Sequence, residues 1–143
     1  MQMRTTFQQP RAAGLASVGI AVIVLASLLS GCAVAPMITA LATQEGIASY
    51  YSQEFQGCKT SNGEIFDNSQ LTAAHRQYPF GTIVKVTNLK TNAAVEVRIN
   101  DRGPVKQERV IDLSFAAAKA IGIDRSGLGR VRLEVVKWGK SKA

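Results

Sequence analysis

Between Thr82 and Trp138 apolar and polar residues alternate with a period of two, the repeat of a strand with one face turned to a core. The run "TIVKVTNLKTNAAVEVRIN" predicts two such strands. Val84 and Val86 share a face in the first, Val95, Val97 and Ile99 in the second, and the polar "NLKTN" between them predicts a hairpin. "RVIDL" and "GRVRLEVVKW" read as further strands, the latter with Val131, Leu133 and Val135 on one side. The period changes only at "SFAAAKAIG", which predicts a short helix with Ser114 as N-cap and Gly122 at its C-terminal stop. Several short strands with one small helix predict a compact, mostly β barrel running from about Ile47 to Trp138.

The chain before this domain has a different pattern. Arg4 and Arg11 precede "AAGLASVGIAVIVLASLLSGC", which carries no charge and has the apolar centre and small-residue end of a secretory signal. Its last four residues, Leu29 to Cys32, resemble a bacterial lipobox, in which the cysteine is acylated and becomes the mature N-terminus. A plain transmembrane anchor is the alternative, since about 20 apolar residues span a bilayer. Residues 1–31 are therefore expected to be a lipoprotein signal peptide. Residues 32–46, small and interrupted by Pro36 and Gly46, are expected to be a lipidated tether with room for a short helix, and 139–143 a basic tail. This organisation is expected to place the domain outside the cytoplasm, on an outer-membrane lipoprotein facing the periplasm.

Charge narrows the partners. The full chain carries +7; without the signal and its two arginines it carries 15 basic and 10 acidic residues, a net +5. A mildly basic exported surface suits an acidic wall polymer or a lipid surface. Nucleic acid is not expected, because no arginine-rich run or aromatic stacking series is present. With Cys32 taken by lipid, Cys58 has no intrachain partner, and no cysteine or histidine cluster has metal-ligand spacing. No metal or cofactor is expected, and the protein should be a monomer.

Candidate chemistry lies in the turns. Continuing the Val95, Val97, Ile99 face by two residues reaches Asp101, where Gly103 and Pro104 stop strand pairing. This aims a carboxylate at the barrel rim, unless Asp101 pairs with Arg102 or caps the turn. Glu64 follows Asn62 and Gly63, residues suited to a sharp turn, and precedes Ile65 and Phe66. An apolar surround there would raise its pKa towards that of a general acid; a solvated loop glutamate is the alternative. His75, the chain's single histidine, follows the buried-looking "LTAA" and serves either structure or chemistry. Asp112, between Ile111 and Leu113, either caps the helix, pairs with Arg102, or joins the site. Asp67, in an exposed turn, is assigned to structure.

Together "ASYYS", "TSNGEIFD", "LTAAH", "PFGTIVKVTN", "VRINDRGP" and "VIDLSFAAAKAIG", in this order over about Gly46 to Val136, resemble the rare lipoprotein A family of septal lytic transglycosylases. The resemblance implies a six-stranded double-psi β-barrel with one or two short helices, similar to expansin and barwin domains and family 45 endoglucanases. It implies that Glu64 and Asp101 are catalytic, that His75 and Asp112 support them, and that the substrate is the peptidoglycan glycan strand. The reaction implied is endolytic cleavage between N-acetylmuramic acid and N-acetylglucosamine, with the muramoyl 6-hydroxyl as nucleophile and a 1,6-anhydro product. The family's larger members carry a SPOR domain for stem-stripped glycan; here "WGKSKA" follows the barrel, so septal targeting is not implied. Expansin-like barrels supply the alternative of wall binding without cleavage, and a water-using glycosidase is a third.

Overall fold

The computed structural model describes residues 42–140. Within them lie six strands, β1 (Thr43–Tyr50), β2 (Thr72–Ala74), β3 (Ile83–Asn88), β4 (Ala94–Asp101), β5 (Arg109–Leu113) and β6 (Gly129–Lys137), and one α-helix, α1 (Phe115–Ala120). A single 3-10 turn spans Gln53–Phe55. The signal segment, the lipobox at Cys32 and the first part of the expected tether lie outside the described residues. The barrel starts earlier than expected: β1 begins at Thr43, inside the stretch 32–46. Gly46, read from sequence as a tether breaker, sits in β1 because Val110 packs against it; a Cβ there would lie 2.3 Å from a Val110 methyl.

The strands close in the order β1-β5-β2-β4-β3-β6. β1 with β5 and β2 with β4 are parallel, and the other neighbouring pairs are antiparallel. A parallel pair needs a crossover rather than a hairpin, and the two crossovers in one closed sheet give the double-psi connection. The period-two pattern fills the interior: Val84, Val86, Val97, Ile99, Ile111, Leu113, Val131, Leu133 and Val135 are all buried. The β3–β4 hairpin turns where "NLKTN" predicts, with Asn92 at positive φ and its N–H donating to the Asn88 carbonyl at 2.7 Å. α1 begins as expected, the Ser114 hydroxyl accepting from the Ala117 N–H at 3.3 Å, and Gly122 follows at φ 75°. Ala117 and Ala118 from the helix, and Ile121 that caps its end, join the core.

Candidate functional site

The turn from Thr60 to Glu64 is closed by its own backbone and laid against the end of β4. The Thr60 N–H donates to the Glu64 carbonyl at 2.8 Å, and the Gly63 N–H to the Thr60 carbonyl at 2.9 Å, with Gly63 at φ 93°. An ordinary side chain is disfavoured at that φ, which is why glycine stands here. The Asn62 N–H reaches the Asn100 carbonyl at 3.3 Å, so the turn is fixed to the strand.

Glu64 is held by donors alone. Arg98 of β4 grips it with both terminal nitrogens, 2.7 Å to Oε1 and 2.9 Å to Oε2, while Asn62 Nδ2 donates to Oε1 at 2.9 Å and Asn100 Nδ2 to Oε2 at 3.3 Å. The Arg98 guanidinium, with smaller help from the two asparagines, lowers the carboxyl to about 2. This corrects the apolar surround expected from Ile65 and Phe66. Ile65 is 64% exposed and Phe66 turns inward to Tyr51, ring centroids 4.6 Å apart, so what burial there is at Glu64 is outweighed by Arg98.

Asp101 ends β4 where the pairing with β2 slips: Ala73 lies opposite Ile99 but Ala74 opposite Asp101. The extra residue, Asn100, is a β-bulge, the device that re-aims a side chain at a barrel rim. The Asp101 carboxylate is half-buried and accepts four hydrogen bonds, from Tyr51 Oη (2.7 Å), Ser61 N–H (2.9 Å), Ser61 Oγ (2.6 Å) and Arg102 N–H (2.8 Å). Burial pushes its pKa up, but the bonds from Ser61, Tyr51 and the Arg102 backbone outweigh it and leave it below the usual carboxylate range. Burial and the neighbouring Asp101 charge raise the Tyr51 phenol well above its ordinary value, so it remains a donor. The alternative of an Asp101–Arg102 side-chain pair is not what forms. The Arg102 guanidinium donates to the His75 and Tyr78 carbonyls and lies 3.8 Å above the Phe80 ring.

Asp112 shares a groove of about 620 Å³ with Asp101, Tyr51, Lys59, Arg109 and Val105. It neither caps α1 nor meets Arg102: Ser49 Oγ donates to it, and Arg109 lies 3.8 Å away while also donating to Ser49 at 2.8 Å. A second groove, lined by Ser61, Asn62, Phe80 and Arg102, adjoins the first through Arg102. Glu64 lines neither groove; it stands on the turn whose Ser61 holds Asp101 and whose Asn62 holds Glu64.

The His75 side chain is placed away from these carboxylates. Nδ1 accepts from the Gln77 and Tyr78 N–H groups at 3.1 and 3.0 Å, Nε2 meets Gln44 Oε1 at 3.1 Å, and the ring stacks on Tyr78 at 3.6 Å. Its link to the site is through the backbone, its N–H donating to the Asp101 carbonyl at 3.2 Å. Burial, with Arg76 and Arg102 nearby, lowers its pKa to about 4, so the imidazole is neutral. Among the described residues no three His, Cys, Asp or Glu side chains converge as a metal site would require.

Sequence reasoning missed Arg98, Tyr51, Ser61 and Asn100. Strand parity does put Arg98 and Asn100 on the face opposite Val97 and Ile99, yet their partner lies 34 and 36 residues away in a turn.

Residues 43–133 match the family described as lytic transglycolase. The chain is 60% identical over 92 residues to a probable endolytic peptidoglycan transglycosylase RlpA of Synechocystis, covering 64% of this chain and 29% of the relative. It is 52% identical over 101 residues to the endolytic peptidoglycan transglycosylase RlpA of Campylobacter jejuni, covering 71% and 37%. The chain thus matches only about a third of the length of these relatives. Among solved structures the barrel is similar to apo Clavibacter michiganensis expansin, with TM-score 0.56 and 22% identity over 70% of this chain and 53% of that one. The Streptomyces papain inhibitor gives the same TM-score and identity over 67% and 96%. At that identity the likeness is one of fold.

Proposed function

The chain belongs to the lytic transglycolase family of double-psi β-barrels, and from that premise we propose that it is an endolytic peptidoglycan transglycosylase cutting the bond between N-acetylmuramic acid and N-acetylglucosamine. The observation that carries this is the double hold of one turn: Ser61 binds Asp101 and Asn62 binds Glu64, so two carboxylates from distant parts of the chain meet at one rim.

The two are assigned different tasks. Asp101, half-buried and saturated with donors, keeps its charge and stabilises the positive charge developing at the muramoyl C1. Glu64, on an exposed turn beside the grooves, exchanges protons. It gives its proton to the glycosidic oxygen as the C1–O bond breaks. The 6-hydroxyl of the same sugar then attacks C1 and returns its proton to Glu64, closing the 1,6-anhydro ring without consuming water. Tyr51 and Ser61 orient Asp101; Asp112, held by Ser49 and Arg109, faces the sugar from the same groove. His75 shapes the backbone beneath Asp101.

We propose further that Cys32 carries lipid and that the mature, monomeric protein sits on the outer membrane facing the periplasm. The lipobox sequence and the absence of an acidic residue at position 33 support this. The test of the reaction is to incubate the mature protein with purified peptidoglycan and weigh the products. Anhydromuropeptides, lighter by one water than hydrolysed ones, are expected. Reducing muramic ends would make the protein a hydrolase, and binding without release would make it an expansin-like wall binder.

A further inference from the structure

A general acid needs a proton to give, and the protein groups around the Glu64 carboxylate favour its ionised form. Its neighbours, two nitrogens of Arg98 and the amide nitrogens of Asn62 and Asn100, are all donors. Protonating the carboxyl would turn one accepting oxygen into an O–H that faces N–H donors, at the loss of at least one of these bonds. Among the described residues the one charged side chain bonded to Glu64 is Arg98; Asp101 is bonded instead to Tyr51, Ser61 and Arg102.

The turn itself cannot relax to solve this. Glu64 is tied at both N–H and C=O, to Asn62 Oδ1 at 3.1 Å and from Thr60 N–H at 2.8 Å. The Arg98 backbone is equally fixed, paired across to both Thr72 and Ile83. What is free to move is the Arg98 side chain, which is 40% exposed, as its partner is at 43%. Exposed ion pairs are weak enough to exchange for other contacts.

We propose that Arg98 is a removable clamp on Glu64: it holds the glutamate ionised in the empty enzyme, and a saccharide entering beside the turn displaces the guanidinium and lets the carboxyl take up its proton. The proposal rests on the transglycosylase reading given above. Arg98 is on this account a positioning residue, acting through Glu64 rather than on the glycan. Its release ties proton uptake to the arrival of substrate, so that the acid is armed only when a glycosidic oxygen is present to receive the proton.

The test compares wild type, Arg98→Gln, Arg98→Lys and Glu64→Gln as mature protein. The rate of anhydro-product release from stem-stripped peptidoglycan, as kcat/KM, is followed from acid to neutral pH, because that ratio reports the ionisation of free enzyme. In wild type the rate should fall with rising pH throughout this range. In Arg98→Gln the falling limb should move towards the ordinary glutamate range, raising kcat/KM near neutrality by on the order of 100-fold; Arg98→Lys should keep the wild-type limb. An unmoved limb in Arg98→Gln overturns the clamp. A fully active Glu64→Gln would instead overturn the acid assignment on which it rests. Carboxyl NMR titration of Glu64 separates the two even if no chain releases product. The clamp requires a strongly acidic titration in wild type that returns to the ordinary range in Arg98→Gln, and also in wild type on addition of an N-acetylglucosamine oligomer. Ordinary titration in free wild type, or no change with the oligomer, overturns it.

Discussion

The barrel wall and the rim that carries the acids are held together by different forces. In the wall of β3, β4 and β6, Val84, Val86, Val97, Ile99, Val131, Leu133 and Val135 have almost no exposed surface and pack on one another as apolar groups. At the rim, residues 49–64 and 98–112 are joined by directional side-chain hydrogen bonds: Tyr51 to Asp101, Ser61 to Asp101, Arg98 to Glu64, Ser49 to Asp112. Burial is non-directional and sets stability, whereas each rim bond contributes only about 1 kcal/mol net but fixes where a charge points. The two regions should therefore fail differently when changed.

The sharpest contrast is expected in activity. Glu64→Gln keeps shape but removes the transferable proton, and should lower product release at least about 100-fold, with Asp101→Asn comparable. Both should melt near wild type, since neither opens a cavity; a large fall in melting temperature would mean that the rim, too, is structural. The wall should give the reverse. Leu133→Ala is expected to cost about 2–5 kcal/mol by denaturant unfolding while leaving activity per folded molecule near wild type.

His75 stands between the regions, buried like the wall and bonded like the rim, and its effect should depend on pH. Folded His75 titrates near 4, below its unfolded value of about 6.5. Between these values the unfolded chain binds a proton that the folded one refuses, so stability should rise with pH across this window and be lost as pH falls through it. The most this can contribute is roughly 3 kcal/mol. Replacement by Gln should flatten the slope in urea-unfolding measurements over that window; an unchanged slope would mean that the histidine titrates normally.

The smallest effect belongs to Cys58. It lines the Asp101 groove but is exposed, and its sulfur makes only a 3.9 Å contact with the Glu54 carbonyl. Cys58→Ser should change neither melting temperature nor rate, and the wild-type domain should react with one equivalent of a thiol reagent. A disulfide-linked dimer that vanishes with this substitution would instead assign it to an interface.

Sequence alone determined the wall and the helix. Alternation of Val84 with Val86, of Val97 with Ile99 and of Val131 through Val135 is enough to assign an inward face, because strand geometry sends every second side chain the same way. Ser114 and Gly122 bound the helix by rules that act within a few residues. The same alternation aimed Asp101 at the rim, though it took the bulge at Asn100, visible only against β2, to set the carboxylate among its donors. The motif string likewise put Glu64 in a turn beside the site. Its state was decided elsewhere: from sequence, Ile65 and Phe66 promised an apolar pocket, whereas the fold sends Ile65 to solvent and brings Arg98 from another strand. Asp112 found Ser49 rather than the helix it precedes for the same reason. Local rules reach only a few residues along the chain, and the charge on a carboxylate is set by whichever groups the closed barrel brings within about 3 Å of it.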